Sequence, residues 1–84
     1  MIYMETSLSQ IINRLVAMVD DRHPGVQSRM FNLYGISLCE VQYFPKSSRF
    51  RVEKFRPEQH FEFDKLDLAA IEVYQCLEDF RESF

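Results

Sequence analysis

Residues 46–56 combine positive charge with neighbouring aromatic rings, which is the chemistry that binds single-stranded nucleic acid. The cations are Lys46, Arg49, Arg51, Lys54 and Arg56, and the rings are Tyr43, Phe44, Phe50 and Phe55. Cationic side chains pair with phosphates while bases stack on aromatic faces. The segment is equally typical of a half-buried strand, because Phe50 and Val52 alternate with charged positions and charged edge strands resist aggregation. Nucleic-acid binding is therefore kept as the alternative hypothesis.

The soft side chains that could bind a metal are Cys39, Cys76, His23 and His60. Zinc sites normally show paired ligands a few residues apart, whereas these four lie in different predicted elements. Both cysteines sit in apolar periodic runs, so we expect reduced, packed thiols, and the sequence leaves a disulfide between them open. A nucleophilic cysteine needs a neighbouring base such as histidine, and no sequence pattern places one beside either thiol. We predict no metal site, no cofactor and no nucleophilic cysteine.

A group of acids precedes the last predicted helix and could in principle serve as paired carboxylates for general acid–base catalysis. Its members are Glu58, Glu62, Asp64 and Asp67. Acids at this place have a sufficient structural role, because they face the positive end of the helix dipole and cap free N–H groups. With only Gly25 and Gly35, the chain also has no Gly-rich phosphate loop. We therefore predict that the chain is not an enzyme.

The composition predicts one folded domain, residues 1–84, with more aromatic surface than one copy can hide. Hydrophobic residues make up 46% of the 84 residues and aromatic residues 14%, which is too apolar for a disordered chain. A chain of this size buries only about 60–65% of the surface that its unfolded form exposes. We therefore expect a partner surface, filled by a second copy or by another protein.

The charge and the first residues indicate a cytoplasmic protein. The formal net charge is −3, so there is no global positive field to attract nucleic acid or anionic lipid. The first six residues lack a basic region followed by an apolar one, and no apolar run approaches the roughly 18 residues that span a bilayer. Secretion and membrane insertion are not expected.

Helical periodicity marks both ends of the chain. Residues 7–20 carry apolar side chains at helical spacing, and Ser7 with Gln10 forms a capping-box pattern at the start. The Pro24-Gly25 pair prevents this helix from continuing. A last helix is predicted from Asp67, its expected N-cap. Its predicted apolar stripe is Leu68, Ile71, Tyr74, Leu77 and Phe80 or Arg81.

The middle of the chain alternates with the period of a β-strand. Strands are predicted at 29–34, 36–44 and 49–55, with turns at Tyr34-Gly35 and at 45–48. Residues 56–60 are expected to form a turn-like break. The segment 61–63 then forms either a short edge strand or a segment across the sheet edge. In the middle strand, strict alternation places Cys39, Val41 and Tyr43 toward the helices.

Four stretches of the sequence resemble the YkuJ-like family of small proteins from low-GC Gram-positive bacteria. They are Leu8–Leu15, Arg29–Gly35, Cys39–Phe44 and Phe63–Glu72, and together they place the resemblance over residues 8–80. None is a site motif, so the resemblance rests on their order and spacing. It implies a cytosolic bacterial protein with an α+β fold, and it carries over no catalytic residue.

These observations predict an α+β fold with an N-terminal helix, a three-stranded antiparallel meander, a C-terminal helix, and both helices packed on one face of the sheet. The opposite face is predicted to be the contact surface of a homodimer without catalytic activity. The predicted contact residues are Phe31, Leu33, Ile36, Leu38 and Phe44. The alternative is a nucleic-acid-binding regulator that uses residues 46–56, and a small enzyme ranks third.

Overall fold

The computed structural model describes residues 7–21, 24–55 and 58–82. They form α1 (Leu8–Asp20), β1 (Gln27–Leu33), β2 (Ile36–Phe44), β3 (Arg49–Phe55), β4 (Glu58–Phe63) and α2 (Leu66–Glu82). The strands make one antiparallel sheet in the order β1-β2-β3-β4. α2 contacts all four strands, α1 lies beside α2, and both helices share one core with the sheet. The predicted α+β fold with helices on one sheet face is confirmed.

The first helix begins where the capping-box pattern predicts. The side-chain oxygen of Ser7 accepts a hydrogen bond from the Gln10 backbone N–H at 3.3 Å, and the Gln10 side chain accepts from the Ser7 N–H at 3.1 Å. Two N–H groups at the start of the helix thereby gain partners. Ile11, Leu15 and Met18 form the buried stripe of the helix.

Gln27 ties the end of α1 to the first strand. It is the buried polar residue of the core, and its side-chain amide donates to the carbonyl oxygens of Met18 at 2.9 Å and of Asp21 at 3.3 Å. The last carbonyls of a helix lack partners within the helix. The Gln27 side chain therefore satisfies the end of α1 and fixes its position above β1.

A β-bulge at Leu38 breaks the alternation of the middle strand. Phe31 pairs with Cys39 and Asn32 pairs with Ser37, so Leu38 is an extra residue on β2. Leu38 and Cys39 are consecutive yet only 2% and 0% exposed. The predicted placement of Leu38 on the face away from the helices was wrong, because the bulge turns its side chain into the core.

Most of the predicted contact residues lie in the core. The bulge is the reason for Leu38, and the side-chain alternation of β1 is the reason for Phe31 and Leu33. Phe31 and Leu33 are buried because the alternation of β1 points them toward the helices, together with Gln27. Ile36, before the bulge, is half-buried and packs against the same core. Of the five predicted contact residues, only Phe44 lies on the face away from the helices.

The sheet has a fourth strand that is longer than the edge segment predicted at 61–63. β4 pairs with β3 from Phe50↔Phe63 to Phe55↔Glu58, so Glu58–His60 belong to a strand and not to a turn-like break. Arg56 and Pro57, from the same predicted break, lie outside the described residues. At the β1–β2 turn, Tyr34 and Gly35 both have positive φ, 55° and 76°, as a two-residue hairpin turn of the primed type requires.

The stripe predicted for the last helix is correct only in its second half. Leu77 is buried, and Tyr74 and Phe80 pack against the core. Leu68 and Ile71 are 44% and 42% exposed, and in the first half of the helix Ala69, Ala70 and Val73 face the core instead. Alanine lets a helix approach a sheet closely, and a count of large apolar residues does not detect that. The helix also begins at Leu66, so Asp67 lies in its first turn instead of at the N-cap. Its carboxylate accepts from the Leu68 N–H at 2.9 Å.

Removing the Gln27 amide should destabilise the fold. We expect Gln27→Leu, which keeps most of the side-chain volume, to lower the free energy of unfolding by about 1–3 kcal/mol, because buried acceptors lose their donor. Urea unfolding followed by circular dichroism measures this. Ser28→Ala, at the exposed neighbouring position, is the control and should stay within about 0.5 kcal/mol of wild type. A Gln27→Leu protein as stable as the control would contradict the role assigned to the amide.

A charge at Leu38 should unfold the protein, because the bulge places this side chain in the core. A buried unpaired carboxylate costs more than about 4 kcal/mol, and a domain of this size has only about 4–12 kcal/mol in total. We expect Leu38→Glu to lose most of its cooperative thermal transition and Ser37→Glu, at the adjacent exposed position, to keep it. Equal melting temperatures for the two variants would show that Leu38 is at the surface.

Candidate interaction face of the sheet

The face of the sheet that points away from the helices is the largest candidate site, and we call it the open face. Its side chains come from alternate positions of all four strands. They are Ser28, Met30, Asn32, Ser37, Glu40, Gln42, Phe44, Arg49, Arg51, Glu53, Phe55, Glu58, His60 and Glu62. None of these fourteen side chains is buried. The open face is therefore a mixed surface on which polar side chains surround a few large apolar ones.

Three apolar side chains interrupt the polar surface. Met30 and Phe55 are exposed and Phe44 is half-buried. They lie at separate places on the sheet, since Met30 is on β1 beside Glu40, while Phe44 pairs with Arg49. Such a distribution differs from the continuous apolar centre of an obligate interface.

The charges of the open face are separated along β3. Arg49 and Arg51 lie near the β2–β3 turn, where Lys46 is also exposed, and we call this end the positive half. Glu62 of β4 lies directly opposite Arg51, so the positive half also carries one carboxylate. Glu53, with Glu40 directly opposite it on β2, lies toward the other end, followed by Glu58 of β4. We call Glu40, Glu53 and Glu58 the negative half.

The negative half contains an unfavourable contact. Glu40 and Glu53 are a directly opposed cross-strand pair, and like charges at such positions repel each other. Arg51 relieves this in part, because its Nη2 lies 3.3 Å from Glu53 Oε2 with both side chains about one-third exposed. A pair with that exposure stabilises by only about 0–1 kcal/mol.

Arg51 itself has unused hydrogen-bonding capacity. Its Nε is buried and has no hydrogen-bond partner among the residues that the structure describes. A guanidinium carries five N–H donors, and a buried donor without an acceptor is costly. The positive half is thus able to receive a further acceptor, such as a carboxylate.

A shallow pocket of about 300 Å³ lies at the positive half. Its lining residues are Phe44, Ser47, Arg49, Phe50, Arg51 and Glu62. This volume is at the lower end for small-molecule sites, which span about 300–1,000 Å³. The pocket joins an aromatic wall to two guanidinium groups and to the carboxylate of Glu62, so a charged side chain that enters it meets charges of both signs.

The structure separates the cations that the nucleic-acid hypothesis grouped together. Lys54 points to the helices, where its Nζ lies 3.1 Å from Glu72 Oε2, with side-chain exposures of 17% and 21%. Arg56 lies outside the described residues, so Lys46, Arg49 and Arg51 are left at the surface of the positive half. Phe50 and Tyr43, which were expected beside the cations, are buried. The predicted stacking platform is therefore reduced to Phe44 and Phe55.

The other predicted site residues do not converge on the open face. His60 is exposed there, His23 lies outside the described residues, and Cys39 and Cys76 meet on the helix side. Glu58 and Glu62 share the open face of β4, whereas Asp64 and Asp67 belong to the start of α2. Within the described ranges, no three side chains of the His, Cys, Asp and Glu types are grouped as metal ligands would be.

The described part of the chain contains no helix that could span a membrane. Neither α1 nor α2 combines the length and the hydropathy that a membrane-spanning helix needs.

Comparison with known proteins gives a consistent family. The sequence is 27% identical over 78 residues to the "Uncharacterized protein YkuJ" of Bacillus subtilis (strain 168), which covers 87% of this chain and 99% of that protein. The X-ray structure of the YkuJ protein from Bacillus subtilis matches with a TM-score of 0.78 at 26% identity, over 84% of this chain and 96% of that chain. The predicted resemblance to YkuJ-like proteins is thereby confirmed. Residues 11–77 match the family model described as "Protein of unknown function (DUF1797)", and this chain belongs to that family.

Proposed function

We propose that this protein is a non-catalytic interaction module that forms a homodimer through the open face. The observation that carries the proposal is the separation of charge along β3, with Arg49 and Arg51 at one end and Glu53 with Glu40 and Glu58 at the other. A surface with one positive and one negative half is complementary to itself when a second copy is turned by 180°.

A two-fold axis through the centre of the open face brings opposite halves together. The same surface then serves on both subunits, which is the arrangement of most homodimers. The positive half of each copy lies over the negative half of the other. Every charge contact formed in this way occurs twice, so a modest pairwise energy is doubled.

Association would also relieve a cost that exists within one copy. The repulsion between Glu40 and Glu53 is relieved when guanidinium groups of a second copy approach. The Arg51 side chain is 32% exposed, and its accessible part can donate to a carboxylate oxygen of the second copy in a charge-assisted hydrogen bond. Met30, Phe44 and Phe55 would add apolar contact around these pairs.

The size of the open face indicates a weak and salt-sensitive dimer. Four strands about 4.8 Å apart and about seven residues long present roughly 450 Å² of projected area. A standard stable interface buries about 800 Å² on each partner. Because the area is small and the pairs are charged, we expect the dissociation constant to rise with ionic strength.

Charge reversal tests the proposal. We expect Arg51→Glu and Glu53→Arg, each alone, to weaken the dimer at least about tenfold, since each places like charges across the interface twice. The double variant Arg51→Glu with Glu53→Arg should regain part of the affinity, because it exchanges the two charges and so restores opposite charges where residue 51 of one subunit meets residue 53 of the other. Light scattering after size exclusion, at several protein concentrations and at low and high salt, measures the dissociation constants.

The control is Asp20→Arg, which reverses a charge at the exposed end of α1 and should leave the dimer unchanged. Circular dichroism of each variant establishes that its fold is intact. A wild-type protein that is monomeric at high concentration and low salt would contradict the proposal, as would single reversals that dimerise like wild type. If the monomeric protein co-purified with nucleic acid, the alternative hypothesis would take its place.

A further inference from the structure

Cys39 and Cys76 meet between the middle strand and the last helix. They are separated by 36 residues of chain. The Cys76 thiol nevertheless donates to the carbonyl oxygen of Leu38, the residue before Cys39, at 3.9 Å. Both cysteines are free. The helix thiol thus lies against the strand backbone beside Cys39, on the opposite side of the sheet from the open face.

The two thiols differ in access to solvent. Cys39 is fully buried in the core, whereas Cys76 is half-buried on α2. Cys76 is therefore the cysteine that a reagent from solvent meets first, because Cys39 has no exposed surface. This difference assigns the first step of any thiol reaction to Cys76. Cys39 can then react only with Cys76, inside the protein.

Charged side chains surround the pair. Lys54 is the cross-strand partner of Cys39, and its ammonium group is bonded to Glu72, which lies one helical turn before Cys76. The hydrogen bond from Cys39 and the charge of Lys54 lower the pKa of Cys76 to about 7, against the opposing effects of burial, Asp79 and Glu72. The hydrogen bond to Cys76 and burial raise the pKa of Cys39. Cys76 thus holds the thiolate and Cys39 holds the proton.

We propose that Cys76 and Cys39 form a dithiol site that reacts with hydroperoxides, with Cys76 as the attacking thiol and Cys39 as the resolving thiol. The proposal rests on the approach of the Cys76 sulfur to the strand backbone beside Cys39 and on the unequal exposure of the two cysteines. It is independent of the homodimer, because both cysteines lie on the helix side of the sheet.

The reaction proceeds in two balanced steps. The Cys76 sulfur attacks the hydroperoxide, a sulfur–oxygen bond forms, the oxygen–oxygen bond breaks, and the leaving oxygen takes up the thiol proton to give an alcohol or water. The Cys39 sulfur then attacks the oxidised sulfur of Cys76, a disulfide forms, and water leaves with the Cys39 proton. Two thiols are oxidised and one hydroperoxide is reduced. Return to the dithiol requires an external thiol reductant.

We expect the thiol pair to react with hydroperoxides only slightly faster than an ordinary thiol, and not at the rate of a fast peroxidase. At pH 7 a thiol with a pKa of about 7 is half ionised, roughly sixteenfold more than one with the ordinary pKa of about 8.5. Its lower basicity reduces nucleophilicity about fivefold, since the Brønsted coefficient is about 0.4–0.5. The net gain is only about threefold. The site is therefore recognised by its product and its pH dependence, and not by speed.

Mass spectrometry of the reduced protein treated with hydrogen peroxide tests the product. We expect wild type to lose both thiols together and to lose two hydrogen atoms in mass, with no added oxygen. Cys39→Ser should stop at a sulfenic acid on Cys76 that dimedone traps, and Cys39→Ala serves if the serine variant does not fold. Cys76→Ser should slow thiol oxidation at least about tenfold, because the remaining thiol is buried and protonated.

The pH dependence of the oxidation rate separates electrostatics from loosened structure. The midpoint should lie near pH 7 in wild type. Lys54→Met should move it upward and Glu72→Gln downward, since one removes a positive charge and the other a negative charge, although both break the same ion pair. Shifts in the same direction would contradict the assigned electrostatics.

Three results of the peroxide experiment would overturn the proposal. They are a stable sulfenic or sulfinic acid on Cys76 of wild type, disulfides that form only between molecules, and thiols that stay intact while methionines are oxidised. The first would show that Cys39 cannot reach Cys76, the second that the pair is not preferred, and the third that the site does not react.

Discussion

The extra residue at Leu38 decides which side chains of the middle strand reach the helices. Because β2 is longer than β1 by one residue at this point, both Leu38 and Cys39 turn into the core. After the bulge, Val41 and Tyr43 continue toward the helices, while Glu40, Gln42 and Phe44 reach the open face. The bulge also sets the Leu38 carbonyl beside the Cys76 thiol. The core, the open face and the thiol contact all depend on this one irregularity.

Local signals made much of the fold predictable from the sequence. Ser7 and Gln10 marked the start of α1 because a capping box is a contact between near neighbours. The strands β2 and β3 were predicted with their observed bounds, since β-forming residues fill both segments and turn residues lie between them. In each case the information lies within a few residues of chain.

Features that depend on distant contacts were not predictable in the same way. The bulge follows from how β1 and β2 pair, and a one-residue shift moves a side chain to the other face of a sheet. The buried stripe of α2 runs through Ala69 and Ala70, which large-residue patterns overlook. Predicted contact residues such as Phe31 and Leu38 consequently proved to be core residues. The contact of Cys39 with Cys76 had no sequence signal, because it joins a strand to a helix across the core.

Because side chains alternate along β3, its cations lie on both faces of the sheet. Arg51 lies on the open face, while Lys54, three residues later, faces the helices and bonds to Glu72 at 3.1 Å.

A disulfide beside Lys54, between residues 39 and 76, would close a loop of about 40 residues and restrict the unfolded chain by roughly 4 kcal/mol. That is comparable with the whole stability of a domain this size, about 4–12 kcal/mol. Oxidation on the helix side would thus change the stability of each subunit without altering any charge on the open face, so the proposed thiol chemistry and the proposed self-association belong to opposite faces of one sheet.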